Sequence, residues 1–409
     1  MNIDTKTLVQ RFVKYTKVNT TANPNSATYP SSPGQLELGD ILVEDCKAIG
    51  LSDVKKDSYG YVTATLPSNI DKKVPTVAFF AHMDTSDAAS GENVKALVME
   101  NYQGQDIELK NDIVLSPAEF PKLKNYIGND LITTDGTTLL GADNKAGIAE
   151  IIAAMEYLIN NPDIKHGDIK IGFTMDEEIG GGVKHFDVEA FGADFGYTMD
   201  GGGIGEFVTE CFNAAQGKIT VKGKSVHPGT AKNIMINASL IAGEIIESFP
   251  KDETPSNTEG HEGFYCLVSM SGSIEEATLI YIIRDHSAEI FNKRKAFVEN
   301  LVEDFNKKYD NRITLEMRDE YSNFKDALDQ NSQIQDLAVA AIKKAGIEPN
   351  VTLMRGGTDG SQLTFMGLPC PNIFSGGHNY HGPYEFIPIQ SMAKAVEVIV
   401  NICQLVGEE

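Results

Sequence analysis

The apolar positions in the N-terminal part of the chain change from helical spacing to a continuous run. The opening stretch, MNIDTKTLVQRFVKYTKV, has apolar residues three and four apart and predicts an amphipathic helix. A second helix is expected at about 36–50, after a polar loop rich in Asn, Pro and Ser. The run TVAFFAHM at 76–83 predicts a strand buried on both faces, as in a parallel sheet covered by helices.

Three more apolar runs share one feature with this strand, because each leads directly into acidic side chains. The four runs lie at 76–83, 139–141, 168–175 and 195–199. The polar residues at or just beyond their ends are His82, Asp84, Asp143, Glu177, Glu178 and Asp200. Ligands of open α/β sheets bind beyond the carboxyl ends of the strands, so we expect these side chains to converge on one crevice.

The second half of the chain contains a block with a different order of elements. Short alternating runs at 86–135 first indicate a small β-rich excursion within the α/β pattern. The later patterns predict strand, helix, strand, strand, helix and strand at 218–223, 237–249, 263–271, 278–285, 288–309 and 312–318. This order is the ferredoxin-like arrangement. The first pattern then resumes, with helices predicted at 326–345 and 389–406.

The predicted architecture is an α/β domain into which a smaller domain is inserted. We expect residues 1–207 and 321–409 to form an α/β/α sandwich, and residues 208–320 to form an inserted ferredoxin-like α+β domain. A chain of 409 residues is long enough for both and for a large buried core in at least one of them.

The charge and the cysteines exclude several classes of protein. The formal net charge of −23 disfavours binding to nucleic acid or to anionic lipid. The N-terminus lacks the apolar region of a signal peptide, and no run approaches the ~20 apolar residues of a membrane span. The five cysteines include no C-x-x-C pair, which fits a reducing compartment. We expect a soluble cytoplasmic protein with neither a nucleic-acid nor a membrane partner.

Each candidate side chain near the strand ends also has a purely structural explanation. His82 and Asp84 lie two apart on a strand and share a face, where the carboxylate can orient the imidazole toward a metal. A histidine at a strand end is, however, often only hydrogen-bonded. Asp143 precedes a predicted helix and can serve as its N-cap. Asp200 precedes three glycines and can belong to a solvated turn.

Two further features favour a metal site. Glu177 and Glu178 are adjacent carboxylates behind a buried strand, where they would repel one another without a cation or a held proton. His381 in HNYHGPYE is a candidate ligand, with His378 as its competitor. Two histidines and three carboxylates suit zinc, manganese or cobalt, and Asp143 is the candidate for a carboxylate shared by two ions.

Five motifs give these residues a family resemblance. The motifs are HMDT at 82–85, GADNKAG at 141–147, MDEEIG at 175–180, MDGG at 199–202 and HGPYE at 381–385. In order and spacing they resemble the di-zinc peptidase family that includes aminoacylase and carboxypeptidase G, over essentially the whole chain. The segments SVHPGTAKN at 225–233 and MRGGTDGS at 354–361, with the β-rich excursion, are most similar to the tripeptide aminopeptidases of that family.

The resemblance implies a role for each residue of the predicted site. The implied ligands are His82 and Asp200 for one zinc ion, Glu178 and His381 for the other, and Asp143 as the bridge. Asp84 would orient His82. Glu177 would be the general base, which takes a proton from the water between the ions and later delivers it to the leaving amine. Manganese or cobalt would fit the same ligands.

Three residues are candidates for substrate binding, with His227 and Arg284 in the predicted inserted domain and Arg355 beyond it. By the resemblance, His227 would reach the active site of a neighbouring subunit in a homodimer formed through this domain, and would support the oxyanion there. Arg284 and Arg355 are candidate anchors for the C-terminal carboxylate of a peptide by bidentate pairing. Solvated surface positions are the ordinary alternative for all three.

The expected function is that of a metallo-aminopeptidase, with two zinc ions per subunit, that releases the N-terminal residue from tripeptides. The alternative within the same fold is an amidohydrolase or deacylase that acts on N-acyl amino acids or dipeptides. An alternative of another class is a non-catalytic binding or dimerisation protein that kept the scaffold. The presence of every metal-site residue argues against it.

Overall fold

The computed structural model describes residues 1–408, which divide into two compact units. The first unit contains Met1–Thr209, Asp326–Thr352 and the chain from Thr358 to the end of the described region. The second unit contains Glu210–Lys325 and the short segment Leu353–Gly357. The sequence pattern gives no sign that this last segment belongs with the smaller unit.

The helices occupy both units. In chain order they are Thr5–Thr16 (α1), Pro33–Ala48 (α2), Ala142–Asn160 (α3), Val188–Phe191 (α4), Ala238–Glu247 (α5), Ala288–Lys308 (α6), Lys325–Asp329 (α7), Ser332–Lys344 (α8), Asp359–Phe365 (α9) and Ile389–Glu408 (α10). The single helix expected at 326–345 is wrong, because α7 and α8 are separate. Asn331, with φ −124° and ψ 43°, leaves helical geometry between them.

The strands are short in the first unit and longer in the second. In chain order they are Ser52–Lys56 (β1), Val62–Leu66 (β2), Val77–His82 (β3), Leu97–Met99 (β4), Ile107–Glu108 (β5), Val114–Leu115 (β6), Leu131–Thr133 (β7), Ile169–Thr174 (β8), Phe195–Gly201 (β9), Glu206–Glu210 (β10), Asn213–Lys222 (β11), Phe264–Gly272 (β12), Glu276–Asp285 (β13), Ile313–Tyr321 (β14), Asn350–Leu353 (β15), Asn372–Phe374 (β16) and Phe386–Pro388 (β17). The expected strand at 139–141 is wrong, since these residues lie in the loop before α3.

The main sheet of the first unit has eight strands in the order β1-β2-β8-β3-β9-β16-β10-β15. Strands β8, β3, β9 and β16 run parallel to one another, whereas β2 pairs antiparallel with β1 and β8, and β10 pairs antiparallel with β16. Every residue of β3 is buried, as the continuous apolar run predicts. The carboxyl ends of β8, β3 and β9 therefore lie side by side, which confirms the expected common edge.

Helices cover this sheet and complete an α/β/α sandwich, which confirms the predicted fold class. Helix α3 packs against β3, β9, α1 and α10, and α10 also packs against α8. The core between these layers includes Phe79, Phe80 and Tyr197, all fully buried. Burial of each such side chain contributes roughly 1.5–3 kcal/mol. Helix α10 is apolar and long enough to span a membrane. However, 67% of its most apolar 18-residue stretch is buried inside the protein, so it is a core helix of this unit.

The predicted β-rich excursion forms a small subdomain of the first unit. It contains a three-stranded sheet of order β17-β7-β4 and the hairpin β5-β6. Its own apolar cluster is built around Tyr102, Leu115, Leu123 and Phe386. Strand β17, which directly follows the HGPYE motif, is therefore part of this subdomain's sheet.

The second unit is an antiparallel sheet of order β12-β13-β11-β14 with two helices. Helices α5 and α6 pack against the sheet, and Ile219, Leu279, Ile283 and Val298 lie in the core between them. The chain order β11-α5-β12-β13-α6-β14 confirms the predicted ferredoxin-like arrangement.

Glu150 is a buried acid in the middle of α3. Its side chain has no exposed surface, and neither carboxylate oxygen has a hydrogen-bond partner among the described residues. Burial raises its pKa well above the ordinary value. The folded state thus favours the protonated form. The contribution of protonated Glu150 to the free energy of unfolding is fully present below the unfolded-state pKa, about 4.3. It is lost as the pH rises from that value toward the folded-state pKa.

We expect Glu150→Gln to leave the free energy of unfolding nearly unchanged at acidic pH and to raise it progressively above pH 5. The gain should be about 1.4 kcal/mol for each pH unit until the folded-state pKa is reached, because the amide has no proton to lose. Denaturant unfolding between pH 5 and pH 8 measures this difference. Glu37→Gln, at an exposed position of α2, is the control and should show no such trend. Parallel pH profiles for wild type and Glu150→Gln would contradict the account.

Candidate metal centre

Five polar side chains converge at the carboxyl ends of β3, β8 and β9. They are His82, Asp143, Glu178, Asp200 and His381. They form two groups of three that share Asp143: His82, Asp143 and Asp200, and Asp143, Glu178 and His381. Within each group, every residue offers one ring nitrogen or carboxylate oxygen, and these atoms lie within 4.8 Å of one another. The structure thus brings together all five residues that the sequence predicts as metal ligands.

Asp143 joins the two groups because each of its carboxylate oxygens faces a different histidine. Its Oδ1 lies 3.0 Å from Nε2 of His82, which is also 3.4 Å from Oδ1 of Asp200. Its Oδ2 lies 3.2 Å from Nε2 of His381, which is 3.0 Å from Oε2 of Glu178. Two adjacent groups of donors with a common carboxylate are the geometry that a pair of metal ions needs.

Neighbouring strands position three of these residues. His82 is the last residue of β3, Asp200 lies near the end of β9, and Glu178 lies in the short 3-10 turn Glu177–Ile179 after β8. Because β8 and β9 flank β3 in parallel, these side chains start from adjacent points. His381 comes from the loop before β17 and has a positive φ of 65°.

Asp143 reaches the cluster from a helix start and not from a strand end. Helix α3 begins at Ala142, and Gly141 occupies its N-cap position in the left-handed conformation. Asp143 has non-helical φ and ψ of −83° and 104°, and the peptide bond that follows it is cis. Among the described residues its carboxylate accepts no backbone N–H of the helix, and its two oxygens face the two histidines instead.

Asp84 supports both a histidine and the turn after β8. Its side chain is fully buried, and Oδ1 lies 3.2 Å from Nδ1 of His82. The two carboxylate oxygens also accept the backbone N–H groups of Glu177 and Glu178, each at 3.0 Å. The sequence indicates the contact with His82, and the two contacts with the turn come from the fold. A single carboxylate thus fixes the ring of one ligand and the backbone of another.

A second buried carboxylate, Asp176, holds the same turn from its N-terminal side. Its Oδ2 accepts the N–H of Ser31 at 2.7 Å, and its Oδ1 accepts the side-chain amide of Gln35 at 2.6 Å. Its own N–H donates to the side-chain oxygen of Gln35 at 3.0 Å. The turn is therefore held at three consecutive residues, Asp176, Glu177 and Glu178.

The cluster contains more carboxylates than its histidines can neutralise. Burial raises the pKa of Asp200 to about 6 and that of Glu178 to about 7. Burial also opposes ionisation of Asp143, but hydrogen bonds with the two histidines hold its pKa below the ordinary value. Oε1 of Glu178 is buried without a hydrogen-bond partner in the described part of the chain. Divalent cations would balance this negative charge and would give the buried Glu178 oxygen a partner, so the residues fit a metal pair.

Glu177 lies beside the cluster but belongs to neither donor group. Burial raises its pKa well above the ordinary value, the nearby His82 opposes this shift, and Asp200 adds to it. Its backbone is held by Asp84, as described above. A carboxylate fixed next to the donors without being one of them is placed to exchange protons with a reacting molecule.

His378, the competitor of His381, lies outside the cluster. Its Nε2 is 2.6 Å from the hydroxyl oxygen of Tyr126, and its ring stacks on Phe386. Burial lowers its pKa to about 4, so it remains neutral near pH 7. Of the two neighbouring histidines, the structure places only His381 among the metal-ligand candidates.

Sequence patterns alone do not single out two other buried carboxylates beside the cluster. Glu385, in the HGPYE motif, accepts three backbone N–H groups at the start of α3. Asp359, in the MRGGTDGS segment, accepts the hydroxyl of Thr174 at 2.6 Å, and burial raises its pKa to about 7. Both lie within motifs that carry the family resemblance, which is the signal that could have identified them.

The three candidate substrate-binding residues all lie in the second unit. His227 is at the start of a 3-10 turn, where its Nδ1 accepts the N–H of Gly229 at 3.1 Å. Arg284 donates to Oε2 of Glu320 at 2.9 Å and lies over the ring of Tyr321. Their assignment to substrate binding stays a prediction.

Arg355, the third candidate, is held by a loop of its own unit. Its guanidinium donates to the backbone oxygens of Gly260 and Glu262 at 2.9 and 2.8 Å, and to the hydroxyl of Thr258 at 2.8 Å. It also lies over the ring of Phe212. All three hydrogen-bond acceptors are neutral groups, unlike the carboxylate that pairs with Arg284.

Comparison with known proteins shows which family the chain belongs to. Residues 209–313 match the family described as "Peptidase dimerisation domain". The chain is 53% identical over 405 residues to Peptidase T of Caldanaerobacter subterraneus subsp. tengcongensis, which covers 98% of this chain and 99% of that protein. The chain belongs to the peptidase T family.

Solved structures share the fold of this peptidase T family member. The aminopeptidase PepT from Bacillus cereus aligns with a TM-score of 0.78 at 24% identity, covering 99% of each chain. A tripeptidase from Staphylococcus aureus aligns with a TM-score of 0.78 at 24% identity, covering all of both chains. At this identity the likeness establishes the fold, namely the sandwich with its inserted domain.

Proposed function

We propose that this peptidase T family member is a di-metal aminopeptidase that releases the N-terminal residue from tripeptides. The observation that carries the proposal is the pair of donor groups joined by Asp143, with Glu177 beside them and outside both. The relatives named Peptidase T, and the aligned proteins described as an aminopeptidase and a tripeptidase, support the choice of substrate.

The two donor groups would each hold one divalent ion. His82 and Asp200 would bind one ion, His381 and Glu178 the other, and Asp143 would serve both. When bound, such a pair polarises a carbonyl group and lowers the pKa of water. Imidazole nitrogens and carboxylate oxygens suit zinc, with manganese or cobalt as alternatives. We therefore propose two zinc ions per subunit.

Glu177 would carry the proton in this reaction. Its carboxylate would accept a proton from the attacking water and then deliver it to the nitrogen of the leaving amine. Asp84 accepts the backbone N–H of Glu177 and orients His82, so it fixes the base and a metal ligand relative to each other. General-base catalysis of this kind contributes roughly 10²–10⁴-fold to the rate.

Of the two candidate carboxylate anchors, Arg355 suits the role better than Arg284. The three acceptors bonded to Arg355 are neutral, so its charge stays available to a peptide carboxylate. The charge of Arg284 is already paired with Glu320.

We keep His227 as a residue that supports the oxyanion from a neighbouring subunit, in a homodimer formed through the domain at 209–313.

The reducing cytoplasm is the proposed location of the enzyme. Cys46, Cys370 and Cys403 are buried thiols, and burial raises the pKa of the Cys403 thiol. Buried, protonated thiols react slowly, and these free cysteines form no disulfide that would need an oxidising environment. The high net negative charge also makes nucleic acid and anionic membranes unsuitable partners.

The substrate is tested with a peptide-length series. We expect the zinc-loaded protein to hydrolyse Gly-Gly-Gly to glycine and Gly-Gly, and to act far more slowly on Gly-Gly, on tetraglycine and on N-acetylglycine. Amino-acid analysis of the products measures each rate. Hydrolysis of only the N-acyl substrate would instead support the deacylase alternative. Full zinc occupancy without any amide hydrolysis would support a non-catalytic scaffold.

The role of the base is tested with Glu177→Gln. We expect kcat for Gly-Gly-Gly to fall by roughly 10²–10⁴-fold, because the amide cannot accept the proton, while the zinc content stays at the wild-type level. Steady-state kinetics and elemental analysis of the same sample provide both numbers. Glu37→Gln serves as the matched control, with unchanged kcat expected. A kcat near wild type in zinc-loaded Glu177→Gln would remove Glu177 from the mechanism.

A further inference from the structure

Glu385 makes contacts that none of the proposed catalytic roles uses. Its side chain is only 1% exposed. Oε2 accepts the backbone N–H groups of Leu140 at 2.6 Å and Gly141 at 2.9 Å, and Oε1 accepts that of Asp143 at 3.1 Å. One buried carboxylate thus binds three backbone donors of a single short segment.

The three donors lie in the loop before α3 and in its first residues, where Asp143 has non-helical φ and ψ. Helix α3 begins at Ala142, and its N-cap residue Gly141 has no side chain to accept them. A negative charge at this end of a helix is also favoured by the helix dipole. Glu385 therefore holds the backbone at the entry to α3, although it comes from a distant part of the chain.

The same contacts join two segments that carry candidate metal ligands. Glu385 follows His381 by four residues, and the N–H that its Oε1 accepts belongs to Asp143 itself, 242 residues away in the chain. Nε2 of His381 lies 3.2 Å from Oδ2 of Asp143. A movement of Glu385 would change how closely these two ligands approach one another.

We propose that Glu385 is a positioning residue of the metal centre. By binding the backbone at 140–143 to the segment that carries His381, it fixes the carboxylate that both ions share. It belongs to neither donor group. The inference rests on the proposed function, since it assumes a metal pair at this site, but its test needs only metal and no peptide.

The first variants are Glu385→Gln and Glu385→Asp. The amide presents an NH2 group in place of one oxygen, so at least one backbone N–H faces a donor. Aspartate keeps the charge but is one methylene shorter, so it cannot reach all three donors. We expect each variant to raise the zinc dissociation constant by roughly 10–100-fold, the usual effect of changing a group that orients a metal ligand. Competition with a chromophoric chelator, starting from metal-free protein, measures this constant.

Asp57→Asn is the matched control. Oδ1 of Asp57 also accepts three backbone N–H groups, those of Tyr59, Gly60 and Tyr61, at 2.9 to 3.0 Å. It does so in the turn between β1 and β2, at the outer edge of the main sheet. The substitution removes a carboxylate with a comparable set of backbone contacts at an exposed position outside both donor groups, so zinc affinity should stay within twofold of wild type.

Thermal unfolding of the metal-free proteins separates positioning from simple stabilisation. A purely structural role would lower the unfolding temperature of both Glu385 variants while zinc affinity stayed within twofold of wild type, and this result would overturn the proposal. If Glu385→Gln does not fold, the zinc affinity of Glu385→Asp decides in the same way. Normal peptide hydrolysis with unchanged zinc affinity would overturn only this inference. Altered zinc affinity without any peptidase activity in wild type would overturn only the proposed function.

Discussion

The carboxylate of Asp143 faces two histidines at once, and the rest of the centre is arranged around it. One oxygen is close to His82 and the other to His381, so the segment that carries Asp143 must be fixed relative to both. The fold does this from several directions. The parallel strands β8, β3 and β9 bring three ligands to one edge, Asp84 ties His82 to the turn after β8, and Glu385 holds the start of α3.

This arrangement places several carboxylates in the protein interior, where each is costly to ionise. Burial raises the pKa of Asp200 and Glu178, and an oxygen of Glu178 is buried without a hydrogen-bond partner in the described chain. Such a cluster would be unfavourable for a protein that binds no cation. The same crowding explains the division of labour that we propose, in which Glu178 binds a metal ion and its neighbour Glu177 transfers a proton.

The sequence predicts the fold well where the signal is local. Strand β3 is a continuous apolar run, and the ferredoxin-like order of the second unit follows from alternating patterns and turn residues. The sequence places Asp143 in the cluster and at the start of a helix, as observed, but the strand expected at 139–141 is a loop. The break between α7 and α8 depends on the backbone of Asn331, which composition does not reveal.

What sequence could not provide are contacts between distant segments. Glu385 and Asp143 are 242 residues apart, and Asp359 meets Thr174 across 185 residues. No periodicity links such pairs, since only the completed sheet brings them together. The bonds from Asp84 to the turn at Glu177 and Glu178 have the same origin. Local patterns and the motifs of the family resemblance together predict which residues meet at the centre, and the tertiary structure shows how they are held.

The most direct test of the account is the zinc content of two ligand variants at equilibrium with a fixed free zinc concentration. Wild type should hold about two ions per chain, Asp200→Ala should hold about one, and Asp143→Ala should hold almost none, because only Asp143 serves both ions. Elemental analysis after dialysis gives these numbers. If Asp143→Ala retained as much zinc as Asp200→Ala, the shared carboxylate at the heart of this account would be contradicted.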